Sequence, residues 1–181
     1  MHARHLILFD RDGTLNVRLP SHVATPDELV LLPGAGEAVA LAAAMGRVAV
    51  VTNQQSVGRG DIDIAELDAV HAALRDRLAL TPGARLDAIY VCPHLVGTCS
   101  CRKPAPGLFL QALADAPEVA PGCCAVIGDQ PSDVTPGLGL GMLAFHVATA
   151  DDPTPTPAGA VRVGSAVEAV RRLALRPGWA A

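Results

Sequence analysis

Five short runs of the chain are almost continuously apolar: His5–Phe9, Arg47–Val51, Ala88–Val91, Cys124–Ile127 and Leu143–Val147. Such runs read as strands covered on both faces, because a half-exposed strand would alternate apolar and polar positions. The segments between them follow another period. In Asp63–Leu80, the residues Ile64, Leu67, Val70, Leu74 and Leu78 recur every three or four positions and make one apolar stripe along a helix. Gly36–Met45, Gly107–Ala116 and Ser165–Leu175 carry weaker forms of that pattern. Strand and helix in alternation predict an α/β fold of three layers, α/β/α, with a parallel sheet in the middle. The stretch Ala148–Ala160, rich in Pro, Thr and Asp, reads as a surface loop.

In sheets of this kind ligands bind beyond the carboxyl ends of the strands. Polar chemistry should therefore cluster just after the apolar runs, and it does. Asp10, Thr52, Cys92 and Asp129 each follow such a run at once or within one residue.

Composition narrows the picture. A chain of 181 residues without internal repeats reads as one domain over residues 1–181. Its net charge of −4 and 3% aromatic content argue against a nucleic-acid partner, which would want a basic face and stacking side chains. No apolar run approaches the roughly 20 residues of a membrane span. Met1-His2-Ala3-Arg4-His5 shows no signal-peptide pattern, so a cytoplasmic, monomeric protein is expected.

The most informative segment is Phe9-Asp10-Arg11-Asp12-Gly13-Thr14. Asp-Gly is a common turn dipeptide, but packing explains two carboxylates after a buried strand poorly. A carboxylate can attack phosphorus and hold the phosphoryl group as an acyl phosphate. A second carboxyl can protonate the leaving oxygen and then deprotonate water. Two anions facing a phosphate dianion require a divalent cation, and oxygen ligands point to magnesium.

Four ordered motifs carry a resemblance to the haloacid dehalogenase superfamily of phosphatases: Asp10-Arg11-Asp12-Gly13-Thr14, Val50-Val51-Thr52-Asn53-Gln54, Arg102-Lys103-Pro104 and Ile127-Gly128-Asp129-Gln130-Pro131-Ser132-Asp133. The resemblance implies a Rossmann-like fold with no large cap domain. It implies Asp10 as nucleophile, Asp12 as general acid and base, and Thr52 and Lys103 as holders of the phosphoryl group. Asp10, the Asp12 carbonyl and Asp129 would ligate magnesium, with Asp133 orienting Lys103 or a metal-bound water. As an alternative, Asp133 is an ordinary residue at a helix start.

Cys92-Pro93-His94 and Cys99-Ser100-Cys101 place three thiols and an imidazole within residues 92–101. That set matches a closed tetrahedral zinc site. A redox pair of Cys99 and Cys101 is the competing reading, but it leaves His94 idle. Cys123 and Cys124 lead into an apolar run and read as small buried hydrophobes. A zinc held here would fix Arg102 and Lys103, which follow directly.

The zinc loop narrows the resemblance to the heptose bisphosphate phosphatases and the closely similar histidinol-phosphate phosphatases, over about residues 5–147. It implies Asn53 and Arg102 as substrate-binding residues and a sugar phosphate as substrate, attacked at its C7 phosphate. Arg18-Leu19-Pro20-Ser21 stands where that group usually carries acidic or aromatic residues, and Gln130 stands where it commonly has lysine. The alternatives are a histidinol-phosphate phosphatase, a nucleic-acid 3′-phosphatase and an inactive zinc-stabilised interaction module. Arg59 reads equally as a phosphate ligand or a solvated loop residue. His2, His5, His22, His71 and His146 read as structural or exposed, and Trp179 is uninformative.

Overall fold

The computed structural model describes residues 5–179; His2 lies outside them. Six strands form one parallel sheet: β1 (Leu6–Phe9), β2 (Arg47–Asn53), β3 (Ala88–Cys92), β4 (Cys124–Gly128), β5 (Leu143–Val147) and β6 (Val161–Val163). Their spatial order is β3-β2-β1-β4-β5-β6, with every neighbouring pair parallel. The six helices are α1 (Ala35–Met45), α2 (Gln55–Arg59), α3 (Ile64–Ala79), α4 (Gly107–Ala114), α5 (Pro131–Gly139) and α6 (Ala166–Ala174).

The continuous apolar runs are strands buried on both sides. In β1, Ile7 and Phe9 face one layer and Leu6 and Leu8 the other. The first layer contains α1, α3 and α6, which contribute Val39, Val70, Leu74, Leu78, Val170 and Leu173. The second contains α4 and α5, with Leu108, Phe109, Ala112 and Val134. Helix α3 starts where a capping box predicts. Asp63 accepts from the Glu66 amide at 2.8 Å, and the Glu66 carboxylate accepts from the Asp63 amide at 2.8 Å.

Besides short 3-10 turns, the structure adds one strand and two helices to those the sequence pattern predicts. Strand β6 is only Val-Arg-Val, too short to show a period. Helix α2 is a single turn. Helix α5 contains Pro131, Pro136, Gly137 and Gly139, a composition that reads as turn. It forms because Pro131 opens the helix, and Gln130 and Asp133 form a capping box. Between β1 and α1, residues 10–34 hold a short 3-10 turn, Pro26–Glu28, and isolated bridges from Asn16 to Asp12 and Leu31, with no inserted cap domain. Among the described residues no helix is long and apolar enough to cross a membrane.

The sheet reverses its winding between β1 and β4, and the crevice at their carboxyl ends is the expected binding place. Asp10 and Asp129 flank this point, and the Asp10 amide donates to the Ile127 carbonyl at 2.8 Å.

Candidate active site and metal centre

Asp10, Thr52, Lys103 and Asp133 meet in the crevice, and all four are buried. Lys103 Nζ lies 2.6 Å from Asp10 Oδ1 and 2.8 Å from Asp133 Oδ1, and it donates to the Val51 carbonyl at 2.7 Å. Burial favours a neutral amine, but the two carboxylates outweigh it and raise the Lys103 pKa. Burial, followed by the charge of Asp133, pushes the Asp10 carboxyl up to about 7 against the pull of Lys103. A carboxylate so placed gains strongly from a further cation.

Asp12 has the opposite balance. Burial would raise its pKa, but the Arg11 charge and donors from Asn16, Arg11 and Gln54 hold it below the usual carboxylate range. Arg11 is fully buried and grips Asp12 through Nε at 3.2 Å and Nη2 at 3.0 Å. Asn16 Nδ2 donates to Asp12 Oδ1 at 2.9 Å. Gln54 Nε2 donates to Asp12 Oδ2 and to Thr52 Oγ1, both at 2.8 Å. Gly13 permits the turn, with φ +90° and an added Cβ that would stand 2.2 Å from Asp129 Oδ2.

Asn53 is turned toward the lysine loop. Its Nδ2 donates to the Lys103 carbonyl at 3.1 Å, and its Oδ1 accepts from the Lys103 amide at 3.0 Å. Arg102 lines the cleft, and its buried Nη1 has no hydrogen-bond partner among the described residues. Beside the reaction crevice lies a cavity of about 330 Å³, lined by Arg18, Ser21, His22, Gln55, Arg59 and Arg102. Its α2 wall stands close to the cysteine loop: a Cβ on Gly58 would lie 2.5 Å from the Pro93 carbonyl oxygen.

Two clusters fit metal ions. Ligand oxygens of Asp10, Asp129 and Asp133 lie within 4.8 Å of one another, a hard, anionic donor set that suits magnesium. The ligand atoms of Cys92, His94, Cys99 and Cys101 do the same. Cys92 Sγ is 3.5 Å from Cys99 Sγ, Cys99 is 3.4 Å from Cys101, and His94 Nδ1 is 3.2 Å from Cys101 Sγ. A tetrahedron with bonds of about 2.3 Å to sulfur sets sulfurs roughly 3.8 Å apart, so the set is nearly assembled. All five cysteines are free thiols. Burial and the neighbouring sulfurs push Cys101 up to about 12, while at Cys99 burial is outweighed by the amides of Arg102 and Cys101 and the Cys101 and Cys92 thiols acting together, which bring it down to about 6. A dication among them would release the remaining protons.

Four partners of the expected residues were not singled out from sequence: Arg11, Asn16, Gln54 and His71. Gln54 carried a signal, two residues after Thr52 on a strand end. The pairing of His71 Nε2 with Arg11 Nη1, at 3.1 Å across 60 positions, carried none.

Carboxylates, a hydroxyl and a lysine at the switch point of a parallel sheet define a phosphohydrolase of the haloacid dehalogenase class. A family model described as HAD-hydrolase-like matches residues 100–164. The D-glycero-beta-D-manno-heptose-1,7-bisphosphate 7-phosphatase of Pseudomonas putida is 37% identical over 146 residues, 80% of this chain and 82% of the relative. The D-glycero-alpha-D-manno-heptose-1,7-bisphosphate 7-phosphatase of Mycobacterium tuberculosis is 37% identical over 147 residues, 80% of this chain and 73% of its own. The crystal structure of D,D-heptose 1,7-bisphosphate phosphatase from B. bronchiseptica, complexed with magnesium and phosphate, superposes with a TM-score of 0.85. It is 31% identical and covers 93% of this chain and 97% of its own. The chain belongs to the heptose bisphosphate phosphatase family of haloacid dehalogenase-like hydrolases.

Proposed function

We propose that the chain is a magnesium-dependent phosphomonoesterase that removes the C7 phosphate of a heptose 1,7-bisphosphate through a phospho-aspartyl intermediate. The observation that carries the reading is Asp10 held at 2.6 Å by buried Lys103 beside Asp129. Relatives from P. putida and M. tuberculosis bear names for this activity.

Asp10 attacks phosphorus, a P–O bond forms to its carboxylate, and the bond to the sugar oxygen breaks. That oxygen takes a proton from Asp12. Water then attacks the acyl phosphate, Asp12 takes its proton, and Asp10 and inorganic phosphate separate. Asp12 is held ionised in the free site, but a phosphate dianion alongside would raise its proton affinity. Thr52 Oγ1 and Lys103 Nζ orient the phosphoryl oxygens, and Asp133 keeps Lys103 in place. A magnesium ion on Asp10, the Asp12 carbonyl and Asp129 would offset the repulsion between carboxylates and phosphate. Cys92, His94, Cys99 and Cys101 would hold a closed structural zinc.

The cavity beside Asp12 supports a substrate with a second anion. Arg18, Arg59 and Arg102 line it; Arg18 and Arg59 are paired with Asp129 and Asp61, and Arg102 would repel an amine by ~1 kcal/mol at exposed range. Asn53 then acts mainly by holding the Lys103 backbone, with Arg102 meeting the substrate. A primary ester at C7 reaches Asp10 with least crowding.

Phosphate release tests the assignment. Its kcat/KM for heptose 1,7-bisphosphate should exceed that for histidinol phosphate at least about tenfold, or ~1.4 kcal/mol. Equal or better use of histidinol phosphate overturns the substrate. Failure of magnesium to support release from any sugar phosphate overturns the chemistry.

A further inference from the structure

One Arg18 nitrogen uses oxygens proposed to hold the metal. Nη2 donates to the Asp12 main-chain oxygen at 2.9 Å and lies 2.9 Å from each carboxylate oxygen of Asp129. A guanidinium and a dication cannot share those lone pairs, because each needs them at bonding distance and the two repel.

The charges around the site favour exchange. Four carboxylates gather here: Asp10, Asp12, Asp129 and Asp133. Lys103 pairs with Asp10 and Asp133, and Arg11 with Asp12. Asp129 is thus left to Arg18, and a divalent ion in that place would bring twice the charge. Arg18 is also placed to leave. Its side chain is 48% exposed, its polar contacts among the described residues run only to Asp12 and Asp129, and it lines both the reaction crevice and the adjoining cavity.

We propose that Arg18 is an internal counter-cation displaced by the divalent metal, and that displacement turns its guanidinium into the adjoining cavity to meet the substrate's second anionic group. Metal loading and substrate recognition are thereby coupled through one side chain. The metal is worth less to the free protein than its ligands alone would give, because it must first expel a competitor. The second half of the proposal rests on the substrate class proposed above; the first half does not.

Calorimetric titration of Mg²⁺ into the full-length, zinc-replete protein tests the first half without turnover. Arg18→Gln should bind Mg²⁺ about tenfold more tightly than wild type, a change of ~1.4 kcal/mol. Arg18→Met, with an uncharged stem, should show the same gain, while Arg18→Lys, which keeps a cation, should stay within about threefold of wild type. Unchanged or weaker Mg²⁺ binding by both uncharged variants, with zinc content and Tm retained, overturns the exchange. The second half predicts the opposite sign on the other ligand: KM for the bisphosphate at saturating Mg²⁺ rises in Arg18→Gln. A purely structural loss would weaken both ligands together. Tighter Mg²⁺ with an unchanged bisphosphate KM would confine Arg18 to the metal site and overturn its part in recognition.

Discussion

Lys103 Nζ stands 2.6 Å from Asp10 Oδ1 in a buried ion pair, and Asp133 Oδ1 lies 2.8 Å from the same nitrogen. The lysine therefore bridges two buried carboxylates that would otherwise repel each other. Lys103→Met should abolish turnover. It should also lower the stability of the magnesium-free protein by about 3–5 kcal/mol, the cost of breaking a buried pair on one side. Thermal unfolding in chelator and in Mg²⁺ checks this, with the larger metal-induced rise in Tm expected for the variant. Equal rises in variant and wild type would show that Lys103 does not hold the carboxylates apart.

Asp10→Asn keeps the shape of the side chain but cannot form an acyl phosphate. Its kcat should fall on the order of 10⁶-fold if losses seen on removing other covalent nucleophiles apply. Asp12→Asn should be crippled too, since the leaving oxygen would depart without its proton. Rapid quenching with ³²P-labelled substrate separates the two, because Asp12→Asn retains the nucleophile and can accumulate label that Asp10→Asn never takes up. Label on Asp10→Asn protein would rule out Asp10 as the attacking group.

Elemental analysis should find about one zinc per chain, retained under mild chelation that removes magnesium, because four protein ligands close the site. Cys101→Ser should lose that zinc and raise KM more than it unfolds the core. Cys92 belongs to the second hydrophobic layer and Cys99 and Cys101 pack against its edge, while Lys103 is two residues beyond Cys101. Full activity in zinc-free protein would remove the loop from any part in holding Arg102 and Lys103.

His71 gives the protein a pH dependence with a definite sign. Arg11 only donates, so His71 Nε2 accepts from it and the imidazole is neutral. Burial, then the Arg11 charge, lower the His71 pKa from 6.5 to about 4. Between those values the unfolded chain binds a proton that the folded chain refuses, so stability falls as pH drops through this window. The loss amounts to at most about 3 kcal/mol. His71→Gln keeps an acceptor for Arg11 without the titration, and its Tm should decline less from pH 6.5 to 4. Parallel curves for variant and wild type would place the acid sensitivity elsewhere.

Much of this architecture was readable in the chain because burial on both faces leaves a simple trace. β5 runs over Leu143–Val147 as predicted, and the other four predicted strands differ from the observed ones by one or two residues at an end. Of helix α5 only the start was anticipated, in the alternative reading of Asp133; its length was hidden by Pro136, Gly137 and Gly139, since helix propensity says little once a capping box and tertiary packing set the backbone. In the site, motif order marked Asp10, Asp12, Thr52, Lys103 and Asp129. The grip of Arg11 and Gln54 on Asp12 was not legible. It depends on side-chain direction across the sheet, and in Gln54 a strand-end amide spans two functional groups at once. Arg18 stood out as a departure, but its reach to Asp129, 111 positions away, is visible only in the fold.

The closeness of Gly58 to Pro93 ties α2 to the cysteine loop by contact of bare backbone. Helix α2 has five residues and cannot hold its shape without neighbours. The cavity wall and the proposed zinc loop thus rest on each other, while Asp10 and Asp129 directly follow the central strands β1 and β4. Because Lys103 follows the cysteine loop directly, a change in the length of that loop would disturb the cavity wall and the lysine paired with Asp10 together. A side chain at position 58 would pry wall and loop apart and spoil both at once.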